Sequence, residues 1–110
     1  MDKLTLDAKQ ALIRGLDFST LAETTQYNSS LSVQTVLAPK QSRKYISLVN
    51  NTDQVCYVLF GTGVVSSTLF SLILPVAATT NHYFVTGFKG VITVIFAGAG
   101  TGKLNVTEHL

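Results

Sequence analysis

Charge is what this chain has least of. Lys and Arg number 8 and Asp and Glu 6, or 13% of 110 residues, about half the usual share of roughly 25%. From Gln54 to Gly102 the one charged side chain is Lys89. A soluble monomer normally spreads charge over every exposed face. The same stretch is too interrupted by Gly, Ser, Thr and Pro to cross a membrane as a helix. Its longest apolar runs, Val55–Phe60 and Leu69–Ala78, are far below the roughly 20 residues a spanning helix needs. The expectation is a β-rich body covered over much of its outside by other protein.

Other shortages exclude other functions. The net charge of +2 is too small to support nucleic-acid binding, and only Lys40, Arg43 and Lys44 lie close together. That trio reads as a loop entering a strand. The single cysteine, Cys56, rules out an internal disulfide. Set in the apolar run Val55-Cys56-Tyr57-Val58, it reads as a small buried hydrophobe. No signal-peptide core is seen near Met1, so a cytosol-like setting is expected. With two histidines, His82 and His109, and one cysteine, a zinc site lacks ligands. A Cys56–His82 pair would need an exposed thiolate. The only acids after residue 28, Asp53 and Glu108, stand in a turn and near the last residue, with nothing to bring them together as a glycosidase pair. No catalytic residue, cofactor or metal is expected, and no enzyme.

One motif resembles a phosphate-binding loop, Ala97-Gly98-Ala99-Gly100-Thr101-Gly102-Lys103-Leu104. Ala97 replaces its first glycine, and Leu104 stands where a metal-binding hydroxyl is needed. The following residues alternate like a strand, whereas a phosphate loop opens a helix. A hairpin loop is the better reading. Sugar binding has a little more support: Tyr83 and Phe88 flank the loop before Val91 and could offer an aromatic platform. However, there is no Trp, and most of the ten aromatics sit inside apolar strands, where packing is their ordinary role.

What is present is β texture. Candidate strands are Ser30–Leu37, Lys44–Asn50, Val55–Phe60, Leu69–Leu74, His82–Thr86, Val91–Ala97 and Leu104–Glu108. Gly, Asn and Pro turns separate them, as in an all-β antiparallel β-sandwich (jelly-roll or Ig-like) of about seven strands. Lys44–Asn50 carries Ile46 and Leu48 on one face and Tyr45 and Val49 around Ser47 on the other. Val55–Phe60 and Val91–Phe96 are apolar on nearly every residue, so both faces of those strands must be covered. Residues 1–27 differ. They hold most of the acids, and Leu4, Ala8, Ala11, Leu12 and Leu16 recur at helical steps. A helix this short is marginal alone. The chain therefore divides into an N-terminal arm or short helix, 1–27, with Thr20–Asn28 an extended link, and a β-sandwich domain, 28–110. Leu4, Leu12 and Leu16 are candidates for contact with a partner. Lys89, isolated on a Gly-flanked loop, is a further one.

The body from Arg43 to Glu108 resembles small β-sandwich structural proteins of tailed bacteriophages, of the capsid decoration or cement type. The resemblance rests on Arg43-Lys44-Tyr45-Ile46-Ser47-Leu48-Val49-Asn50-Asn51-Thr52, then Val55-Cys56-Tyr57-Val58-Leu59-Phe60-Gly61. Leu72-Ile73-Leu74-Pro75, the segment Tyr83 to Phe96, and Leu104-Asn105-Val106-Thr107-Glu108 complete it. It implies a virion protein assembled in the host cytoplasm and placed on the capsid surface. Its partners would be the major capsid protein or other virion proteins, and copies of itself, a trimer being a common arrangement. It implies no nucleic-acid or membrane partner. Necks, tails and baseplates use the same kind of sandwich and are the alternative.

Overall fold

The computed structural model describes residues 21–76 and 82–110, the segment 82–86 by its backbone. All the regular structure in them is β. In chain order the strands are β1 (Ala22–Asn28), β2 (Gln34–Leu37), β3 (Tyr45–Asn50), β4 (Cys56–Phe60), β5 (Leu72–Leu74), β6 (His82–Thr86), β7 (Ile92–Phe96) and β8 (Lys103–His109). They form two four-stranded antiparallel sheets. Sheet A has the order β1-β8-β3-β6 and sheet B the order β2-β7-β4-β5. The chain passes between sheets at nearly every connection, β4 to β5 being the one step that stays within a sheet.

One core serves both sheets. Ile46 and Leu48 of β3 with Leu104 and Val106 of β8 meet Cys56, Val58, Leu74, Ile92, Val94 and Phe96 of sheet B in a single apolar cluster. The alternation foreseen in β3 is observed: Ile46, Leu48 and Asn50 are buried, and Tyr45, Ser47 and Val49 are partly exposed. Each buried apolar side chain here contributes about 1.5–3 kcal/mol through removal from water. In β2 two neighbours, Val36 and Leu37, both enter the core. A register shift between Thr35 and Leu37 explains it, because a bulge lets consecutive residues turn to one side.

Two differences from the sequence reading stand out. The link Thr20–Asn28 is largely a strand: residues 22–28 form β1 and pair with β8 along its whole length. Its hydrophobic pattern gives no warning, because six of its seven side chains are exposed and only Tyr27 packs on the core. The described residues thus hold eight strands, where the texture of the sequence marked seven. The proposed helix over Leu4–Leu16 lies outside the described residues.

Candidate interaction surface

Sheet A is polar outside. Thr24 and Thr107 exchange a hydroxyl hydrogen bond of 2.9 Å across β1 and β8. Beside them Gln26 Nε2 donates to Asn105 Oδ1 at 3.0 Å. Tyr45 and His109 stack with ring centroids 4.5 Å apart. Such cross-strand pairs hold a water-facing sheet together without apolar cover.

Sheet B is apolar outside. Tyr57 and Leu59 of β4 and Thr93 and Ile95 of β7 occupy the register positions between the core residues. Leu59 is buried yet outside the core cluster. Its cover is the connection 61–71. Val65 of that segment is 1% exposed, Phe70 lies 5.5 Å from Tyr57 between ring centroids, and the backbone at Gly63 lies close over the Leu59 side chain. The segment is tied at both ends. Gly61 N–H donates to the Val91 carbonyl at 2.8 Å and Ser71 N–H to the Val58 carbonyl at 2.6 Å. Ser71 Oγ accepts from Phe60 N–H at 2.9 Å. Ser66 Oγ accepts from the N–H groups of Thr68 and Leu69. Gly61 and Gly63 take φ of 97° and 126°, angles that side chains disfavour.

The cover has an apolar outside of its own. Val64 is 72% exposed, Leu69 49%, Phe70 37% and, beside them on β5, Ile73 44%. These four large residues form the strongest candidate for a protein-binding surface, since grouped exposed apolar side chains are unusual on a monomer. The Thr93 hydroxyl beneath the same face is buried without a hydrogen-bond partner. Sequence reasoning recognised that β4 and β7 are apolar on both faces, and missed the surface itself. Val64 sits in a Ser/Thr-rich loop, and Leu69 and Phe70 read as the start of a strand over Leu69–Leu74, whereas β5 begins only at Leu72.

Polar clasps fix the loops around this frame. Arg43, read from the sequence as part of a loop entering a strand, stands just before β3 and is wholly buried. Its Nε donates to Glu108 Oε2 at 3.0 Å. Nη1 donates to the carbonyls of Phe88 and Gly90 at 3.2 and 3.0 Å, and Nη2 to that of Ala38. Lys40 Nζ reaches the other Glu108 oxygen at 3.5 Å. One guanidinium therefore joins β8, the β2–β3 connection and the β6–β7 connection. Nearby, the Tyr27 hydroxyl donates to the Val36 carbonyl at 2.9 Å. Burial first, and then the Glu108 charge, push this phenol above its ordinary pKa.

At the other end Asn50 Nδ2 donates to the carbonyls of Gln54, Leu74 and Pro75, each at 3.0 Å. Two N–H groups serving three acceptors means one bond is shared. Asn50 Oδ1 accepts from Thr52 N–H and Oγ1.

The glycine-rich stretch 97–102, expected from the sequence to be a hairpin loop, instead carries the chain from β7 in sheet B to β8 in sheet A, strapped to the 51–54 turn. Thr101 N–H donates to Asp53 Oδ1 at 2.9 Å, which holds this exposed carboxyl below its ordinary pKa. Gly102, at φ 86°, is packed so close that a Cβ would stand 2.2 Å from the Asn51 carbonyl oxygen. Close backbone approach, rather than a phosphate, accounts for this glycine.

The remaining sequence candidates are dispersed. Leu4, Leu12 and Leu16 lie outside the described residues. Lys89 is exposed, but its ammonium donates to the carbonyls of Gln41 and Arg43, and its own carbonyl accepts from Lys40 N–H. Its charge is committed within the chain. Phe88 stacks on Phe60 at 5.5 Å and packs against the core, which leaves little of an open platform. The side chain of Tyr83 lies outside the described residues. Cys56 is fully buried, and burial pushes its thiol up to about 12, as read for a small core residue. Among the described residues no group of three or more His, Cys, Asp or Glu is placed to hold a metal ion.

The sequence matches no family model, and no curated protein is similar to it at a significant level. The fold is similar to a solved structure described as "Bacillus endospore appendages form a novel family of disulfide-linked pili", at a TM-score of 0.55 and 17% identity, over 80% of this chain and 82% of that one. At that identity the likeness shows the fold alone.

Proposed function

We propose that this chain is a jelly-roll structural protein that works by attachment, as a capsid decoration (cement) protein of a tailed bacteriophage. The strand orders β1-β8-β3-β6 and β2-β7-β4-β5 fit the double Greek key of a jelly roll, an architecture frequent in capsid proteins. The observation that carries the attachment reading is the exposed apolar group Val64, Leu69, Phe70 and Ile73, on a segment anchored to sheet B in a chain with little surface charge. On this reading the group seats on the major capsid protein at junctions between its subunits. Each contact is small, and repetition over a shell makes the whole strong. No step of chemistry is involved.

The test is the copy number of the chain in purified particles, by quantitative mass spectrometry against the major capsid protein. A simple integer ratio to the capsid protein supports decoration. A count matching one small ring moves the chain to a neck, tail or baseplate. Finding none in the particle overturns the virion reading.

The likeness in fold to the appendage protein favours a second reading, a subunit of a non-viral filament. Disulfide linkage of the kind named for that protein would need two accessible cysteines per subunit to continue along a fibre. This chain has one, fully buried. A filament of it would be held by non-covalent contacts, and reducing agent would leave it intact.

A further inference from the structure

Sheet A ends at β1, whose one neighbour among the described residues is β8. Along an antiparallel strand the backbone groups point alternately to the two sides. Leu110 N–H donates to the Leu21 carbonyl at 2.9 Å. In the same register Glu23 lies opposite Glu108, Thr25 opposite Val106 and Tyr27 opposite Leu104. The odd-numbered residues therefore bond to β8, and the even-numbered ones point outward. The Asn28 carbonyl agrees with that phase, since it accepts from Gln34 Nε2 at 3.0 Å. Ala22, Thr24 and Gln26 each offer one N–H and one C=O at this edge, evenly spaced about Thr24, and Asn28 adds its N–H.

Sheet edges are normally shielded by shortness, proline, lysine or a bulge. The other edges show such features: β2 has four residues and a bulge, β5 has three and runs into Pro75, and β6 has five residues. In contrast, β1 is seven residues long and regular in register, with no proline or basic residue.

We propose that β1 pairs with β1 of a second copy of this chain, antiparallel, about a two-fold axis through Thr24. The second copy is singled out by symmetry. The three positions with both groups open read the same in both directions from Thr24, so Ala22 meets Gln26 of the second copy and Thr24 meets Thr24, with both backbone groups of each bonded. Glu23, the one charge on β1, then faces Thr25 of the second copy and not another carboxylate. The Thr–Thr pair at the axis is a favourable cross-strand combination. The contact is isologous, so it closes at a dimer, and the two A sheets become one continuous sheet. This inference stands apart from the virion reading and is tested on the isolated chain.

Sedimentation velocity of the purified full chain is expected to give a dimer. Thr24→Pro removes an outward N–H and none of the backbone bonds to β8; the hydroxyl bond to Thr107 that it also loses is controlled by Thr24→Val, which keeps the N–H and is expected to stay dimeric. The proline variant is expected to keep the thermal transition and raise the dimer dissociation constant on the order of tenfold or more, since two backbone bonds are lost per dimer. Thr24→Cys is expected to form a disulfide-linked dimer under mild oxidation, because directly opposed Cα atoms about 5.5 Å apart lie within disulfide reach. The buried Cys56 leaves that readout clean. Thr107→Cys, one strand further in on the same outer face, is expected not to cross-link. A monomer or a trimer for the unaltered chain overturns the proposal. So does a dimer that Thr24→Pro leaves unchanged, or Thr24→Cys linking no faster than Thr107→Cys.

Discussion

The two sheets share a core and solve opposite problems on their outer faces. Sheet A meets water with Thr24, Gln26, Asn105 and Thr107, whose side chains bond to one another across strands. Sheet B presents Tyr57, Leu59 and Ile95, and the connection 61–71 packs over Leu59 and Tyr57, which leaves Val64, Leu69 and Phe70 exposed. Covering an apolar face with an apolar loop moves the problem outward by one layer. The lesson is that hydrophobic strands do not by themselves locate an interface. The interface candidate is what lies over them.

The largest expected effect comes from breaking the clasp that joins the sheets at one end. Arg43→Ala leaves Glu108 and three carbonyls without their buried donor. It is expected to cost about 3–5 kcal/mol, read as a lowered midpoint in urea unfolding. Glu108→Gln keeps the shape and strands the buried guanidinium, so a loss of similar sign follows. If both variants unfold like the unaltered chain, the clasp does not hold the sheets.

Next is the cover itself. Leu59→Ala empties a buried position beneath the loop and outside the shared core. A loss of about 2–4 kcal/mol is expected, together with faster proteolytic cleavage within 61–71. Ile46→Ala, wholly buried between the sheets, is expected to cost as much without exposing that loop. Equal cleavage in the two variants would show that the loop does not depend on the outer face of sheet B.

The third prediction separates stability from attachment. Val64→Ser with Ile73→Thr changes exposed positions, so the unfolding free energy is expected to move by no more than about 1 kcal/mol. Binding to capsid shells is expected to fall by tenfold or more on the proposed function, about 1.4 kcal/mol at the contact. Replacing Asn105 and Thr107 on sheet A by Ser is expected to change neither attachment nor, beyond a few tenths of a kcal/mol, stability. A symmetrical loss of binding from both faces would remove the distinction.

The smallest effect concerns pH. The Asp53 carboxyl is held below its ordinary pKa by the Thr101 N–H. A lowered folded-state pKa gives stability that is present above the unfolded carboxylate pKa and is lost as pH falls through the folded one. Asp53 is fully exposed, so the contribution is slight. It is expected as a slight advantage of the unaltered chain over Asp53→Asn at neutral pH that shrinks on acidification. A difference that grows above neutral pH would contradict it.

Much of the body was readable from local pattern. The buried alternation of β3, the role of Cys56 and the loop at 97–102 follow from residue types and spacing, because period-two hydrophobicity and glycine-rich turns are local signals; that this loop crosses between sheets and is no hairpin depends on strand order. β1 was not readable, since a strand on a sheet edge with both faces exposed carries no such period. The burial of Arg43 was not readable either. The trio Lys40, Arg43 and Lys44 reads only as a loop entering a strand, and Glu108 with the carbonyls of Ala38, Phe88 and Gly90 makes the burial tolerable.

The sequence by itself determined a low-charge chain whose body is β, with apolar strands in need of cover, because composition and alternation fix what must leave water. Tertiary structure alone decided which segment supplies that cover, which arginine is drawn inside, and which strand is left with an open edge. Those outcomes depend on contacts between residues far apart in the chain, where the partner of a group is set by strand order and not by its neighbours in sequence.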